Sequence, residues 1–383
     1  MGELELFRLR KLSTLAAVCA ATVLAVGTGG PSATAAQPTP SPVPSAAQSR
    51  PAADVHGCPS GVSLNVPSAV GIAKYGASAL LPASMPQAQR AADRSPVLQK
   101  IAHSNVQWLT SLDCSATTLT NGPKRAQSRS VRPADTPQQI CALPNTNCQP
   151  NWSGYQTGTP RGAGTYSDAS MEWDVPNASH SGDRNAHVTI WPGIGVGSDA
   201  DKLVQAGTES VQYSFLGGLF HTQRYYAWIE IVPGEYEIRI SNLPVHPGDH
   251  MLVDVSYDTT THNATFTMYN TSTGKGGSIS QAVNGPTGSQ SEWIVERTCE
   301  GSQNSCKYTP LVKYGAEKIT NAGGQLTDGG STSGFFAAQM QPQNTPMTDC
   351  KVTKFLSTVG PLDSTGGGFT TTWQDYGKSE KCN

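Results

Sequence analysis

The feature that most restricts the fold is a train of short alternating runs after Asn151. "HVTIWPGIG", "YYAWIEIVPGEYEIRIS", "HMLVDVSYDTTTHNATFTMYNTSTG" and "SEWIVERT" carry apolar, aromatic or β-branched residues in alternation and are separated by Gly, Asn, Asp and Pro. Because successive side chains of a strand point to opposite faces, such runs bury one face each and predict an antiparallel sandwich or barrel. Helical spacing is clearest earlier, in "PQAQRAADRSPVLQKIAHSNVQWLTSL", where Val97, Ile101, Val106 and Leu109 recur. The expectation is an all-β antiparallel sandwich preceded by a small, partly helical N-terminal region.

The first residues suggest the compartment. Arg8, Arg10 and Lys11 precede the apolar run "LSTLAAVCAATVLAVG", and small residues follow it in "PSATAAQ", the pattern of a secretory signal peptide over residues 1–36. The run has 16 residues, short of the roughly 20 that span a bilayer. A secreted, extracellular protein is expected. Without Cys19, which lies in that run, eight cysteines remain: Cys58, Cys114, Cys141, Cys148, Cys299, Cys306, Cys350 and Cys382. An exported chain would hold them as disulfides, and their spacing fits no zinc pattern. The local pairings Cys141–Cys148, Cys299–Cys306 and Cys350–Cys382 are the first to consider, although spacing alone does not fix connectivity.

Charge divides the chain where texture does. Residues 37–135 hold nine Lys+Arg and four Asp+Glu, whereas 136–383 hold fourteen and twenty-two. A basic segment on an acidic domain, joined through "KRAQSRSVRPAD", reads as an inhibitory propeptide held partly by charge. An unrelated N-terminal domain or a wall-associating segment is the alternative. The expected organisation is a signal peptide at 1–36, a basic pro-region and linker at 37–140, and a β-sandwich domain at 141–383.

Familiar chemistries are missing from the sequence. It has no Gly-x-Ser-x-Gly elbow, no His-Glu-x-x-His helix, no phosphate loop and no dinucleotide fingerprint. Eight histidines are scattered singly. Carboxylates and amides on strands remain, and "EWIVE" is the sharpest case: alternation puts Glu292, Ile294 and Glu296 on one face, Trp293 and Val295 on the other. Two acids therefore sit where their neighbours predict burial, and each needs a partner or a purpose.

Seven segments then fall into one order: "NWSGY" (151–155), "WDVP" (173–176), "WPGIG" (191–195), "LVQAGTE" (203–209), "YYAWIEIVP" (225–233), "NTSTG" (270–274) and "EWIVE" (292–296). Together they resemble the glutamic peptidases, or eqolisins, and particularly their bacterial members, over about 151–306. The resemblance implies a concanavalin-like sandwich of two large antiparallel sheets and a catalytic Gln/Glu pair, which carries over as Gln205 and Glu296. Trp152, Trp191 and a tyrosine of "YYAW" fall at cleft-lining positions. One-to-one matching gives Tyr225, although alternation groups Tyr226 with Trp228 and Glu230. Gly195 stands where the family commonly has Asp, and Pro192 where it has Val, so this cleft has one acid fewer.

The residue chemistry suits that role. An ionised Glu296 can take a proton from water, and the Gln205 amide can donate to the developing oxyanion. A Glu base, titrating near ~4.3 when free, works at acid pH where a histidine base would be protonated. Glu230, and Glu209 with it, could couple to Glu296. The expected function is a secreted, acid-acting endopeptidase that cleaves polypeptides with no cofactor or metal. Nothing points to nucleic acid or a membrane, and a monomer is expected. Two rivals exist: a laminarinase-like glycoside hydrolase, which would need an Asp where Ile294 stands, and a non-catalytic lectin-like sandwich displaying its tryptophans.

Overall fold

The computed structural model describes residues 54–121 and 140–382, apart from 82–83, 86–89, 91–94, 142–145, 158–164, 180–183, 196–201, 234–235, 285–286, 302–306, 329–330 and 336–342. The signal-peptide segment and the linker from residue 122 to 139 lie outside the described residues. The alternating runs form strands as expected. Ala186–Ile194, Leu203–Phe215, Phe220–Val232 and Ser291–Glu296 are central strands of a nine-stranded sheet. Thr165–Asp174, His250–Asp258, Asn263–Asn270 and Lys275–Ala282 belong to an eleven-stranded one. Pairing between these long strands is antiparallel throughout.

One face of each sheet packs against the other. Val188, Ile190, Val204, Ala206, Ile229, Trp293 and Val295 from the first meet Met171, Trp173, Val253, Val255, Phe266 and Met268 from the second in a single buried core. Two tryptophans tie the layers together. Trp293 Nε1 donates to the Ser170 carbonyl at 3.0 Å, and Trp173 Nε1 donates to Thr208 Oγ1 at 3.0 Å. Each indole thus gains a large apolar burial without stranding its N–H.

The N-terminal region is woven into the sandwich, so the compositional boundary near residue 140 is not a boundary in packing. The described residues, from 54 onward, form one compact unit. Ser111–Ala116 pairs antiparallel with Ile238–Ile240 at one edge of the nine-stranded sheet, with Asp54–His56 parallel beyond it. Val62–Asn65 pairs antiparallel with Ser278–Gln281 at an edge of the other sheet. The helix is shorter than its periodicity predicts, Pro96–Ala102. Ser95 caps it, with its hydroxyl accepting from the Leu98 amide, and Pro96 occupies the first turn, where a missing N–H costs nothing. Val97, Leu98 and Ile101 pack on Leu252 and Tyr269, covering the outward face of the eleven-stranded sheet. Val106 and Leu109 lie beyond the helix, over the bare backbone of Gly276 and Gly277.

Disulfides Cys141–Cys148 and Cys350–Cys382 follow the local pairings, and Cys58 joins Cys114. Cys299 is also disulfide-bonded, and Cys306 lies outside the described residues.

Candidate active site

The face of the nine-stranded sheet turned away from the core carries the chemistry. Register stacks its residues in cross-strand rows. Gln156, Glu292, Gly193, Gln205 and Glu230 form one row, and Trp152, Glu296, Thr189, Glu209 and Tyr226 form another. Between them lies the row of Gly154, Ile294 and Trp191, with Gly207 and Trp228 completing the apolar floor.

Two glycines make room for Trp191. A Cβ at Gly207 would sit 2.7 Å from the Trp191 Cβ and 2.1 Å from the Ile190 carbonyl oxygen, and one at Gly193 would sit 2.9 Å from the indole ring. Seated there, Trp191 donates from Nε1 to Glu296 Oε2 at 2.8 Å and meets Trp152 edge-on at 5.2 Å between centroids. Asn151 Nδ2 donates to the other oxygen, Oε1, at 2.5 Å. Glu296 is fully buried, and each of its two oxygens accepts a hydrogen bond, an arrangement suited to an ionised carboxylate.

Gln205 is fully buried, and its Nε2 donates to Glu230 Oε2 at 3.0 Å while its Oε1 has no hydrogen-bond partner among the described residues. Glu230 in turn accepts from Thr120 Oγ1 at 2.6 Å and from the Asn121 backbone N–H at 3.0 and 3.2 Å. Burial pushes the Glu230 carboxyl well above the ordinary carboxylate range, with the Thr120 bond opposing and the charges of Glu237 and Glu296 adding to the rise. Glu292 is raised well above its usual value too, first by burial and then by Glu296, and neither of its oxygens finds a partner among the described residues. One face therefore holds an acid raised by burial, Glu292, and four residues along the strand a second, Glu296, clasped by two donors.

Beyond Glu230 the acids continue. His187 shares a 2.6 Å hydrogen bond with Glu209, and Arg239 lies 3.8 Å from Glu209 and 3.6 Å from Glu237. Burial pulls His187 down to about 4 and raises both glutamates, so His187 and Glu209 meet as neutral partners near pH 6 rather than as an ion pair. Arg239 also packs over the Tyr226 ring at 3.7 Å.

The sequence-derived residues divide accordingly. Gln205, Glu296, Trp152, Trp191 and Glu230 share this face. Tyr225 does not, because alternation along Phe220–Val232 turns it to the opposite side, where its hydroxyl accepts from the Ala178 amide and donates to Asn177. Tyr226 is the tyrosine of this face. Asn151, Glu237 and the pair Thr120–Asn121 were not singled out from sequence. Asn151 could have been found from its place beside Trp152, whereas the others are brought in only by tertiary packing.

The Peptidase A4 family model matches residues 150–359. The chain belongs to the Peptidase A4 family. Its members are glutamic peptidases, hydrolases that act on peptide bonds, and the Gln205 and Glu296 strands both lie within the matched span. Among solved structures it is similar to scytalido-glutamic peptidase in complex with a transition-state analogue inhibitor, at 19% identity over 58% of this chain and 98% of that one, with a TM-score of 0.45. SCP-B, an eqolisin in complex with the tripeptide Ala-Ile-His, is similar at 18% identity over 58% and 98%, TM-score 0.42. Aspergilloglutamic peptidase from Aspergillus niger is similar at 22% identity over 49% and 99%, TM-score 0.37. No curated protein matches the chain.

Proposed function

We propose that this Peptidase A4 chain is a secreted endopeptidase that works at acid pH, with Glu296 as general base and Gln205 as oxyanion donor. The observation that carries the assignment is the pair of hydrogen bonds from Trp191 and Asn151 onto Glu296, which hold a carboxylate in acceptor form inside an apolar floor. Such a group can take a proton from a water poised against a peptide carbonyl. The Gln205 amide supplies an N–H for the tetrahedral oxyanion, and its unpartnered carbonyl oxygen can help to hold the water. Glu296, now protonated, returns the proton to the departing amine. No step calls on a metal or cofactor.

A second reading makes Glu292 the base, because it stands in the cross-strand row of Gln205 and its oxygens lack partners among the described residues. Its raised pKa argues against that role: a carboxyl neutral at acid pH can donate a hydrogen bond but cannot abstract a proton.

The test is hydrolysis of an acid-unfolded protein between about pH 2 and about pH 7, a range that brackets carboxylate titration. Glu296→Gln and Gln205→Ala should each lower kcat by a factor of about a thousand, while Glu292→Gln retains most of it. Full activity in Glu296→Gln with loss in Glu292→Gln would hand the base role to Glu292. Full activity in both would remove the dyad.

A further inference from the structure

A segment of the chain itself lies against the candidate site, bonded to the Glu230 that Gln205 also holds. Thr120 and Asn121 are buried against the sheet, at 2% and 1% exposure. Besides the bonds to Glu230, Asn121 donates from Nδ2 to Glu237 Oε2 at 3.2 Å, and its Oδ1 accepts from Thr189 Oγ1 at 3.5 Å. Thr189 is the residue registered opposite both Glu296 and Glu209, so Asn121 reaches over the strands between Glu230 and Glu296.

The residues leading to it are held like a strand in a groove. Leu119–Thr120 pairs antiparallel with Cys299–Glu300, the short strand that follows Glu296. The Gly301 amide donates to the Thr118 carbonyl at 3.1 Å on one side, and the Glu237 amide donates to the Leu119 carbonyl at 3.1 Å on the other. Thr117 Oγ1 donates to the Glu237 carbonyl at 3.0 Å. Backbone groups on both walls thus read an extended main chain, and polar side chains at the floor read its end.

We propose that Thr117–Asn121 is an internal occupant of the substrate groove, and that once it withdraws an extended polypeptide takes its place by strand addition to the Cys299–Gly301 edge. This rests on the peptidase reading above. Main-chain pairing supplies affinity for any extended sequence, which suits an enzyme acting on unfolded protein. The pocket in which Glu237 and Thr189 take a carboxamide and Glu230 takes a hydroxyl and a backbone N–H becomes a polar subsite beside the reacting centre.

The experiment uses the full-length chain and its Thr117→Val/Thr120→Val/Asn121→Ala variant, in which side-chain bonds are removed from the occupant alone. Each lost bond is worth on the order of 1 kcal/mol, so the variant should begin hydrolysing an unfolded protein at least about tenfold faster than the wild type without prior activation. Hydrogen exchange gives a readout that needs no catalysis: the Glu237 and Gly301 amides should be protected in the wild type and exposed in the variant. The free pentapeptide Thr-Thr-Leu-Thr-Asn should then restore their protection. Equal initial rates in two active proteins, or amides that exchange freely in the wild type, would overturn the proposal. Protection restored by the pentapeptide in a variant that cleaves nothing would support the groove while sinking the peptidase reading.

Discussion

Trp191 shows how much one side chain can carry. Its indole is wedged over Gly193 and Gly207 and its N–H holds Glu296. Trp191→Phe keeps the wedge and removes the donor, so kcat should fall by about ten- to a hundredfold with little change in KM, measured on a peptide substrate. Gly207→Ala pushes a methyl into the Ile190 carbonyl and the Trp191 Cβ, and should lower stability by about 1–3 kcal/mol in urea unfolding while impairing activity. Much of this was legible in the sequence. Period-two alternation in "EWIVE" put both acids on one face, and motif order supplied Gln205. Where motif matching and alternation disagreed, at Tyr225 and Tyr226, alternation described the backbone, because a strand cannot turn consecutive side chains to one face. Thr120 and Asn121 left no local signal, since nothing in "LTN" says that it will bond two glutamates more than a hundred residues later.

At the scale of elements, the strands announced themselves and their partners did not. Ser111–Ala116 and Val62–Asn65 join different sheets, the first as the second strand from an edge and the second as the edge itself, a pairing set by long-range register rather than by their own composition. The helix pattern ran past its true end for a similar reason: Val106 and Leu109 serve apolar burial over Gly276 and Gly277, which helical spacing imitates. Cys58–Cys114 closes a loop with a sequence separation of 56 and pins the strand that leads into the site. Replacing both cysteines with serine should cost about 4 kcal/mol by loop entropy, read as a lower urea midpoint. Hydrogen exchange in that variant should quicken first in Asp54–His56 and Ser111–Ala116, before the central strands.

Across the whole molecule, buried acids set the response to pH. Glu317 is raised by burial to about 8, and Glu209, Glu237 and Asp254 are also raised by burial. An acid whose folded pKa lies above its unfolded value binds more protons when folded. Stability therefore falls as pH rises between the two, by up to ~1.4 kcal/mol per unit for each group. His187, lowered to about 4, acts in the opposite sense and takes stability away as pH falls from about 6.5 to about 4. The acids outnumber it, so thermal unfolding followed from about pH 8 to about pH 4 should show Tm rising as pH falls. A Tm that falls steadily over that range would mean these carboxyls ionise freely in the fold.

The weaving of the N-terminal region into both sheets also bears on how the protein could be remade. Ser63 bonds to Ser280, 217 residues away, so this N-terminal strand waits for a partner far along the chain before it can settle. Assembly from such distant pieces is slow, because the entropy of closing long loops comes before the contacts that offset it. A molecule nicked in the stretch after Asn121 and stripped of its leading piece would keep its shape only as an inheritance. It would still hold the fold but would lack the strands that completed it, and once melted it would have no template for its two bare edges.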